Sequence, residues 1–450
     1  MSFDGLHISR SGVAASQRAL DVIGHNIANV STPGHSRQRV DQVSTERLGP
    51  SLLIGPGANG AGVAVTGVSR ARDVVLDASV RSELANSGSV EIALQTLSEI
   101  ERALGPHSDG LAEALTAFWN GWEELSLDAE SATSRDLVLD ASEALSRALR
   151  GAAQEVEGVQ AANVATAGRR LEEQNTAIAE IARLNGEIRA QDATGDNTNG
   201  LKDERDRLAD GLAASLGATV HMVDGEMMNL SIGGFDVIRG TNHSSLSISG
   251  DPATLQTDNG STISPGGELG ALLIEGNAAT SQVLAELDTL AAEIRDVVNT
   301  QHQLGFDLNG AAGGDIFSAT SAADFGLATG FSADLLAASS TGSAVDGNHA
   351  LDMAGLRGQS GASGTLNEQA RSVVGRVGSA VLTAQTRADA NAGVLATLEA
   401  SRGAVSGVNL DEELTMLLQY QRSYEASARV MTSVDQMLDV LINRTGLVGR

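Results

Sequence analysis

Residues 19–40 read ALDVIGHNIANVSTPGHSRQRV. An apolar helical pattern runs through this stretch as far as Asn29 and then ends abruptly at Thr32, Pro33 and Gly34. Proline disfavours a helical conformation in the residue before it, and glycine readily adopts a positive φ, so these residues predict a helix end. The helix is amphipathic and nearly uncharged. It is either an ordinary first helix with a strong stop signal or an assembly segment whose apolar stripe contacts neighbours outside its own chain.

Apolar residues recur at heptad-like spacing at both ends of the chain, which predicts a long helix at each terminus. The last helix is predicted to begin at Asn409, with Glu412 completing a capping box, and to end before Gly446. The apolar residues predicted to be buried on assembly are Leu6, Val13, Leu20, Ile23 and Ile27 in the first helix, and Leu414, Leu417, Tyr424, Met431, Leu438 and Ile442 in the last.

These two stripes allow two interpretations. The terminal helices could form a coiled coil within one chain, which needs no partner. However, the polar residues Ser9, Ser16, Gln421 and Asp435 occupy positions along the stripes. Because helices gain most of their stability from packing, we expect the ends to be weakly ordered in the monomer and to become ordered by burial among copies of the chain.

Asn26 and Asn29 lie three residues apart and therefore share a helix face. They could cap the last turn and bond the loop at Pro33 and Gly34, or they could bond to adjacent copies. Since an amide both donates and accepts hydrogen bonds, the two roles are compatible. We therefore include Asn26, Asn29, Pro33 and Gly34 in the candidate assembly interface.

The charge distribution also favours contact through the ends. The net charge is −27, which argues against a nucleic-acid or anionic-membrane partner, because both require a basic surface. Residues 1–40 carry four arginines and two aspartates, a net +2, whereas residues 410–450 carry four arginines and six carboxylates, a net −2. The ends cancel, so closely packed copies would repel each other through the middle of the chain but not through its ends.

The composition is that of a helix-rich protein. At 450 residues the chain is long enough for two to four domains, and only 2% of its residues are aromatic. It has no cysteine, which excludes disulfides and thiol chemistry. Residues 1–10 show no conventional signal peptide, and no stretch approaches the roughly 20 apolar residues of a membrane span.

Further apolar stripes predict a mainly α fold with a β-rich insertion, in which an elongated bundle is built from both halves of the chain. Alternating residues around Val220 to Ile232, with Asp224-Gly225 as a turn, predict a hairpin. The predicted domains are a terminal helical domain (1–40 and 405–450), a turn-and-strand connector (41–72), an elongated helical bundle (73–205, 276–305 and 363–404) and a β-rich outer domain (206–275 and 306–362).

Little in the sequence indicates catalysis, and we expect no catalytic residue, cofactor or metal. The eight histidines are scattered without metal-ligand spacing. Gly55, Gly57 and Gly60 match a dinucleotide motif, but that loop must follow a strand, and this one precedes a strand. Residues 202–208, KDERDRL, concentrate acidic and basic side chains. Such alternation is typical of a solvated, ion-paired helix face rather than of paired catalytic carboxylates.

The opening stretch resembles a known family. NIANVSTPG, residues 26–34, is similar to the N-terminal signature of the bacterial flagellar rod, hook and hook-associated proteins. Within that family, Ser36-Arg37-Gln38 after the proline and glycine resembles the hook-associated proteins of the hook–filament junction. Four more stretches agree with this resemblance: residues 60–81, 199–234, 299–317 and 406–442.

The resemblance implies a structural subunit of the flagellum rather than an enzyme. It implies an elongated multi-domain axial protein whose terminal helices pair as a coiled coil and assemble into a ring. It also implies export without a cleaved signal peptide to an extracellular position, with the hook protein below and a second junction protein above. An export chaperone would bind near residues 410–450. The chain is short for this family, so we expect its outer domains to be reduced.

Two alternatives remain. Within the structural class, the chain could be the other junction protein or a hook subunit. In a different class, it could be a secreted hydrolase carried on a flagellar scaffold, with its site in residues 202–275.

Overall fold

The computed structural model describes residues 4–45, 60–105, 110–223, 226–250, 252–361 and 364–443. Its helices are α1 (Asp4–Ala28), α2 (Val74–Leu104), α3 (Leu111–Leu127), α4 (Ala132–Thr194), α5 (Asn199–Leu216), α6 (Gly267–Gly270), α7 (Gly276–His302), α8 (Asn348–Gly355), α9 (Leu366–Ser406) and α10 (Leu410–Asn443). Its strands are β1 (Gln38–Thr45), β2 (Gly62–Arg70), β3 (Thr219–Val223), β4 (Met227–Ile232), β5 (Phe235–Arg239), β6 (Asn242–His243), β7 (Leu246–Ser249), β8 (Thr254–Thr257), β9 (Thr262–Ile263), β10 (Phe317–Ser318) and β11 (Gly326–Leu327).

The terminal helices α1 and α10 pack against each other in antiparallel orientation. Gly5 near the start of α1 lies beside Val434 near the end of α10, and Gly12 lies beside Ser427. Further along, Ser16 Oγ donates to Ser423 Oγ at 3.3 Å. The predicted pairing of the N- and C-terminal helices is therefore confirmed. None of the helices in the described ranges is long and apolar enough to cross a membrane.

A β-hairpin follows the first helix and packs against one side of it. Strands β1 and β2 pair antiparallel from Gln38↔Arg70 to Thr45↔Gly62, with a register shift between Asp41 and Gln42. The hydroxyl of Ser11 in α1 accepts a hydrogen bond from the Val63 backbone N–H at 3.2 Å. The sequence predicted the second of these strands but not the first. Gly55 and Gly57 of the dinucleotide motif lie outside the described residues.

The bundle is organised by α4, a helix of 63 residues that is about 95 Å long. Ser131 caps its start by accepting from the Ser134 N–H, and Gly195 ends it in the left-handed region at φ 81°. The first half of α4 packs with α2, α3, α7, α8 and α9 around Phe118, Trp119 and Trp122. All three aromatic side chains are fully buried, so this core is well shielded from water.

The strands β3 to β9 form two antiparallel sheets, in the orders β3-β4-β5-β6 and β7-β8-β9. They share a core with the second half of α4 and with α5, which includes Ile178, Ile181 and Leu212. The turn predicted at Asp224-Gly225 lies outside the described residues, but Val223 pairs with Met227 in the flanking antiparallel strands.

Residues 306–361 belong to a different core from the one predicted. The sequence grouped them with 206–275 in one β-rich outer domain. Instead, their buried side chains Ile316, Phe317, Phe325 and Leu336 join the bundle core. The physical reason is that the strands of this segment, β10 and β11, have only two residues each, so its apolar side chains pack against the helices α3, α4 and α7 rather than on a sheet.

Candidate assembly interface

The contact between α1 and α10 is made by small side chains, which brings the two helices close together. On α1, Gly5, Gly12 and Ser16 face α10. A Cβ placed on Gly12 would lie only 2.8 Å from the Ser427 hydroxyl oxygen. The burial of the larger apolar residues among copies of the chain, which the sequence predicts, stays a prediction.

The predicted apolar stripes lie on the flanks of the pair. Within α1, Leu6, Val13, Leu20 and Ile27 are half-buried, and only Ile23 is fully buried. Within α10, Leu417, Met431 and Leu438 are half-buried, while Leu414 is 51% exposed and Tyr424 is 38% exposed. The side chain of Ile442 lies outside the described residues.

Asn26 is buried and makes its hydrogen bonds within the chain. Its side-chain amide exchanges two hydrogen bonds with the Gln38 backbone, donating to the carbonyl at 2.9 Å and accepting from the N–H at 3.0 Å. It also donates to Glu413 Oε2 at 3.1 Å. Asn26 and Ile23, which we had placed in the interface between copies, are therefore internal: the helix end folds back onto β1 and buries both.

The other predicted residues at the end of α1, Asn29, Pro33 and Gly34, form the turn that follows it. Asn29 donates to the His25 carbonyl at 2.9 Å and accepts from the Thr32 hydroxyl at 3.1 Å, so it caps the end of the helix. Pro33 and Gly34 are exposed. Gly34 adopts φ 81°, the conformation expected from the sequence, and lies beside the side chain of Arg207 in α5.

A buried ion pair joins the chain after this turn to the start of α10. Arg37 Nε donates to Glu413 Oε1 at 2.8 Å, and the Glu413 side chain is fully buried. Arg37 Nη1 also lies 3.1 Å from Glu412 Oε2, which is largely exposed. Glu412 therefore contacts Arg37 and does not close the predicted capping box, although Asn409 Oδ1 accepts from the Asp411 N–H as a cap residue does. Neither Arg37 nor Glu413 was predicted from the sequence to make this contact.

A second group of ion pairs connects the hairpin, the bundle and α5. We call it the arginine–carboxylate cluster. Arg70 Nη1 lies 2.8 Å from both Asp203 Oδ1 and Asp206 Oδ2. The Ser36 backbone N–H also donates to Asp203, at 3.1 Å. The members of the cluster are Arg70, Arg72, Arg81, Asp203, Asp206 and Asp210.

Asp206 is the centre of this cluster. Arg72 and Arg81 approach it to 3.4 and 3.2 Å, in addition to Arg70. Burial raises the pKa of Asp206, but Arg72, Arg70 and Arg81 outweigh that effect and hold the pKa below its ordinary value. Asp206 is therefore ionised at neutral pH and bound to three guanidinium groups, which leaves it unsuited to act as a general acid or base.

The remainder of the charged segment 202–208 divides between surface and interior. Glu204 and Arg207 form an exposed pair at 2.6 Å, as the sequence predicted for a solvated face. Arg205 is buried instead, and its Nη1 donates to Asn185 Oδ1 at 2.9 Å and to the Glu226 carbonyl at 2.7 Å. The prediction of ion pairing holds for the segment, but the prediction of solvation is wrong for three residues. Residues of β2 and α2 cover Asp203 and Asp206, and Arg205 is buried against α4 and Glu226.

The described residues contain no group of three His, Asp or Glu side chains arranged to hold a metal ion. His35 Nδ1 lies 3.7 Å from Asp203 Oδ2, and the rings of His25 and His35 have centroids 5.4 Å apart. Burial lowers the pKa of His35, which favours the neutral form in this position.

Comparison with known proteins identifies the family. Residues 97–317 match the model of the flagellar hook-associated protein FlgK helical domain. Flagellar hook-associated protein 1 of Bacillus subtilis is 27% identical over 508 aligned residues, covering 100% of this chain and 99% of that protein. The protein of the same name from Escherichia coli is 24% identical, covering 96% of this chain and 98% of that protein. These matches support the identification of the chain as a flagellar hook-associated protein 1. It is therefore a flagellar protein.

Two other flagellar models match the ends of the chain. Residues 6–35 match the flagella basal body rod protein model, and residues 402–444 match the C-terminal model of the flagellar basal body rod FlgEFG proteins. These ranges fall on α1 and α10. The structure of the flagellar hook junction protein FlgK from Burkholderia pseudomallei has the same fold, with a TM-score of 0.66 and 14% identity over 73% of this chain and 100% of that one.

Proposed function

We propose that this chain is a structural subunit that joins the flagellar hook to the filament and assembles as a ring through its terminal helices. One observation carries the proposal. The antiparallel pair α1–α10 leaves large apolar side chains exposed along α10, among them Leu410, Leu414, Leu418 and Val430. Exposed apolar surface of this kind is unfavourable in a free subunit. Its burial against neighbouring copies would stabilise the assembly.

The two groups of ion pairs support this function by fixing the pair to the rest of the subunit. Arg37 with Glu413 joins the chain after α1 to the first turn of α10, and Arg402 at the end of α9 lies 2.8 Å from Asp210 in α5. A load on the terminal helices would therefore reach the bundle through partly buried, charge-assisted hydrogen bonds. We propose the hook protein and a second junction protein as axial neighbours and an export chaperone as the cytoplasmic partner of residues 410–450. We also propose an extracellular position reached without a cleaved signal peptide.

The test is deletion of the gene followed by electron microscopy of the cells. We expect intact hooks without filaments and flagellin in the medium. Filaments of normal number and length would contradict the proposal. The position of the subunit in isolated hook–basal bodies separates it from another junction protein or a hook subunit.

No observation favours the alternative of a hydrolase in residues 202–275. Asp203 and Asp206, the carboxylates that it would use, are both bound by Arg70. We propose a non-enzymatic role without cofactor or metal.

A further inference from the structure

A cavity of about 820 Å³ lies between α2, α5 and strand β3, away from the terminal helices. Val74, Ala78 and Ala85 of α2 contribute apolar side chains to its walls, and so do Val220 and Met222 of β3. Such walls lower the local dielectric constant, and electrostatic interactions inside the cavity are therefore stronger than they would be in bulk water.

The carboxylates of this cavity already bind other cations. Four guanidinium groups and three carboxylates line it, from Arg70, Arg72, Arg81 and Arg205 and from Asp77, Asp206 and Glu226. Asp206 binds the three arginines of the arginine–carboxylate cluster, as described above. Asp77 Oδ2 accepts from Arg72 Nε at 2.9 Å. Glu226 Oε2 lies 3.0 Å from Lys202 Nζ. No carboxylate of the cavity is left for a further cation.

Arg205 is the guanidinium that lacks a carboxylate. The residue is only 1% exposed, and its Nη1 donates to two uncharged acceptors, the Asn185 amide oxygen and the Glu226 carbonyl. Its Nε is buried without a hydrogen-bond partner, and no acceptor among the described residues bonds to Nη2. These two nitrogens carry the parallel N–H groups along one edge of the guanidinium, the arrangement that binds both oxygens of a carboxylate or a phosphate.

A buried cation without a bound anion is unfavourable. Burial lowers the pKa of Arg205, but an arginine in a protein keeps its proton, so the positive charge remains. Unsatisfied buried donors of this kind indicate an ion or water from solution as their partner.

We propose that the cavity binds a small oxyanion, a carboxylate or a phosphate, through Nε and Nη2 of Arg205. The bound anion supplies the negative charge that the chain does not place beside this side chain. This inference goes beyond the proposed function, because the cavity lies in the bundle and its occupation does not depend on assembly through α1 and α10.

A matched pair of variants at Ala78 tests the site without disturbing the buried arginine. Ala78 is exposed and lines the cavity. Ala78→Glu adds a carboxylate that repels an anion, and Ala78→Gln adds a side chain of nearly the same size without charge. Isothermal titration calorimetry of the purified full chain measures binding of inorganic phosphate and, separately, of acetate at constant ionic strength.

We expect saturable binding of at least one of the two anions by the unmodified chain. Ala78→Glu should weaken this binding roughly tenfold or more, because like charges would be placed close together, and Ala78→Gln should retain it. Binding of phosphate alone identifies free phosphate as the ligand, whereas binding of acetate identifies a carboxylate. Absence of saturable binding of both anions, or equal binding by the two Ala78 variants, would overturn the inference.

Arg205→Met tests the cation itself, and Arg207→Met is its control on the exposed side of the same helix. We expect Arg205→Met to weaken anion binding at least roughly tenfold, since hydrogen bonds from a charged donor are lost, and Arg207→Met to bind as the unmodified chain does. Circular dichroism establishes whether Arg205→Met folds, and the Ala78 pair decides if it does not. Undiminished binding by a folded Arg205→Met chain would overturn the inference.

Discussion

Arg37 Nε lies 2.8 Å from Glu413 Oε1, and the glutamate side chain is completely shielded from solvent. Asn26 donates to the other carboxylate oxygen at 3.1 Å. A buried carboxylate is stable only when its hydrogen bonds are made, and here the donors come from the end of the first helix and the chain just after it. The carboxylate thus connects two segments that are almost four hundred residues apart in the sequence.

Replacement of Glu413 with alanine should weaken the terminal pair. It leaves the buried Asn26 amide and the Arg37 guanidinium without their acceptor, and we expect a loss of about 2–4 kcal/mol in the stability of α1 and α10. Amide hydrogen exchange of the two helices measures this loss of stability. Glu412→Gln is the matched control, since Glu412 contacts the same arginine while its side chain is 58% exposed, and we expect less than about 1 kcal/mol. Equal effects of the two changes would contradict this role of Glu413.

Asp206→Asn should destabilise the whole chain, because three arginines would lose the charge they share. We expect about 3 kcal/mol or more, measured by urea unfolding. The control is Glu204→Gln, two residues away on the exposed side of the same helix, for which a change below about 1 kcal/mol is expected. If Asp206→Asn unfolded at the same urea concentration as the unmodified chain, the cluster would not be a stabilising element.

Gly12→Leu should separate α1 from α10. The added side chain would begin 2.8 Å from the Ser427 hydroxyl oxygen, and overpacking of this kind costs about 1–3 kcal/mol. Gly24→Ala provides the contrast, because a Cβ on Gly24 would meet nothing within 4 Å. Circular dichroism on heating should show loss of helix at lower temperature for Gly12→Leu only. Unchanged melting of both variants would show that the helices are not closely packed there.

Protonation of His302 should make the bundle less stable in mild acid. Burial lowers its pKa to about 4, while the unfolded chain titrates near 6.5. The folded-state pKa is depressed, so the stability from this group is complete above about pH 6.5 and is lost as the pH falls towards 4, by roughly 3 kcal/mol. The geometry agrees: His302 Nδ1 lies 2.6 Å from the Gly314 carbonyl, and Nε2 accepts from the Ala337 N–H at 2.8 Å.

The measurement is unfolding free energy at several pH values for the unmodified chain and for His302→Gln. We expect the slope between pH 6.5 and 4 to be reduced in His302→Gln. His243→Gln, at an exposed position, is the control and should retain the slope. An unchanged slope in His302→Gln would assign the acid sensitivity to other groups.

Leu20→Glu should prevent incorporation into the junction while the bundle remains folded. Leu20 is half-buried on the flank of α1, where a charge would be desolvated by a neighbouring copy. Leu127→Glu is the control, because Leu127 is 79% exposed at the end of α3. Motility and immunogold labelling of hooks report incorporation, and melting of the purified protein reports folding. Normal incorporation of Leu20→Glu would contradict assembly through this flank.

Much of the architecture could be predicted because long helices leave a periodic trace in the sequence. The apolar stripes predicted an elongated helical bundle, and α4, which buries regularly spaced apolar residues from Val138 to Ile188, spans Ala132–Thr194. The turn at Pro33 and Gly34 could also be predicted, because proline restricts the local backbone conformation and glycine permits a positive φ. Such signals depend only on neighbouring residues.

The contacts that define the candidate site are not indicated by any comparable pattern in the sequence. Arg70, Arg72 and Arg81 meet Asp206 across more than a hundred residues of sequence, and nothing near KDERDRL shows that a strand and a helix will cover it. A periodic pattern of large apolar residues such as Leu20 also does not reveal the residues that join α1 to α10. Close approach of these two helices selects Gly12 and Ser16, which interrupt that pattern.

The continuity of α4 has a mechanical consequence. Val138, Leu145 and Val156 lie in the bundle core, and Leu171, Ile178 and Ile181 lie in the core beneath the sheets. No proline or non-helical residue separates these two groups, so one uninterrupted helix connects the two cores. A torque applied to one core is therefore transmitted along α4 to the other core, and the two cores rotate together.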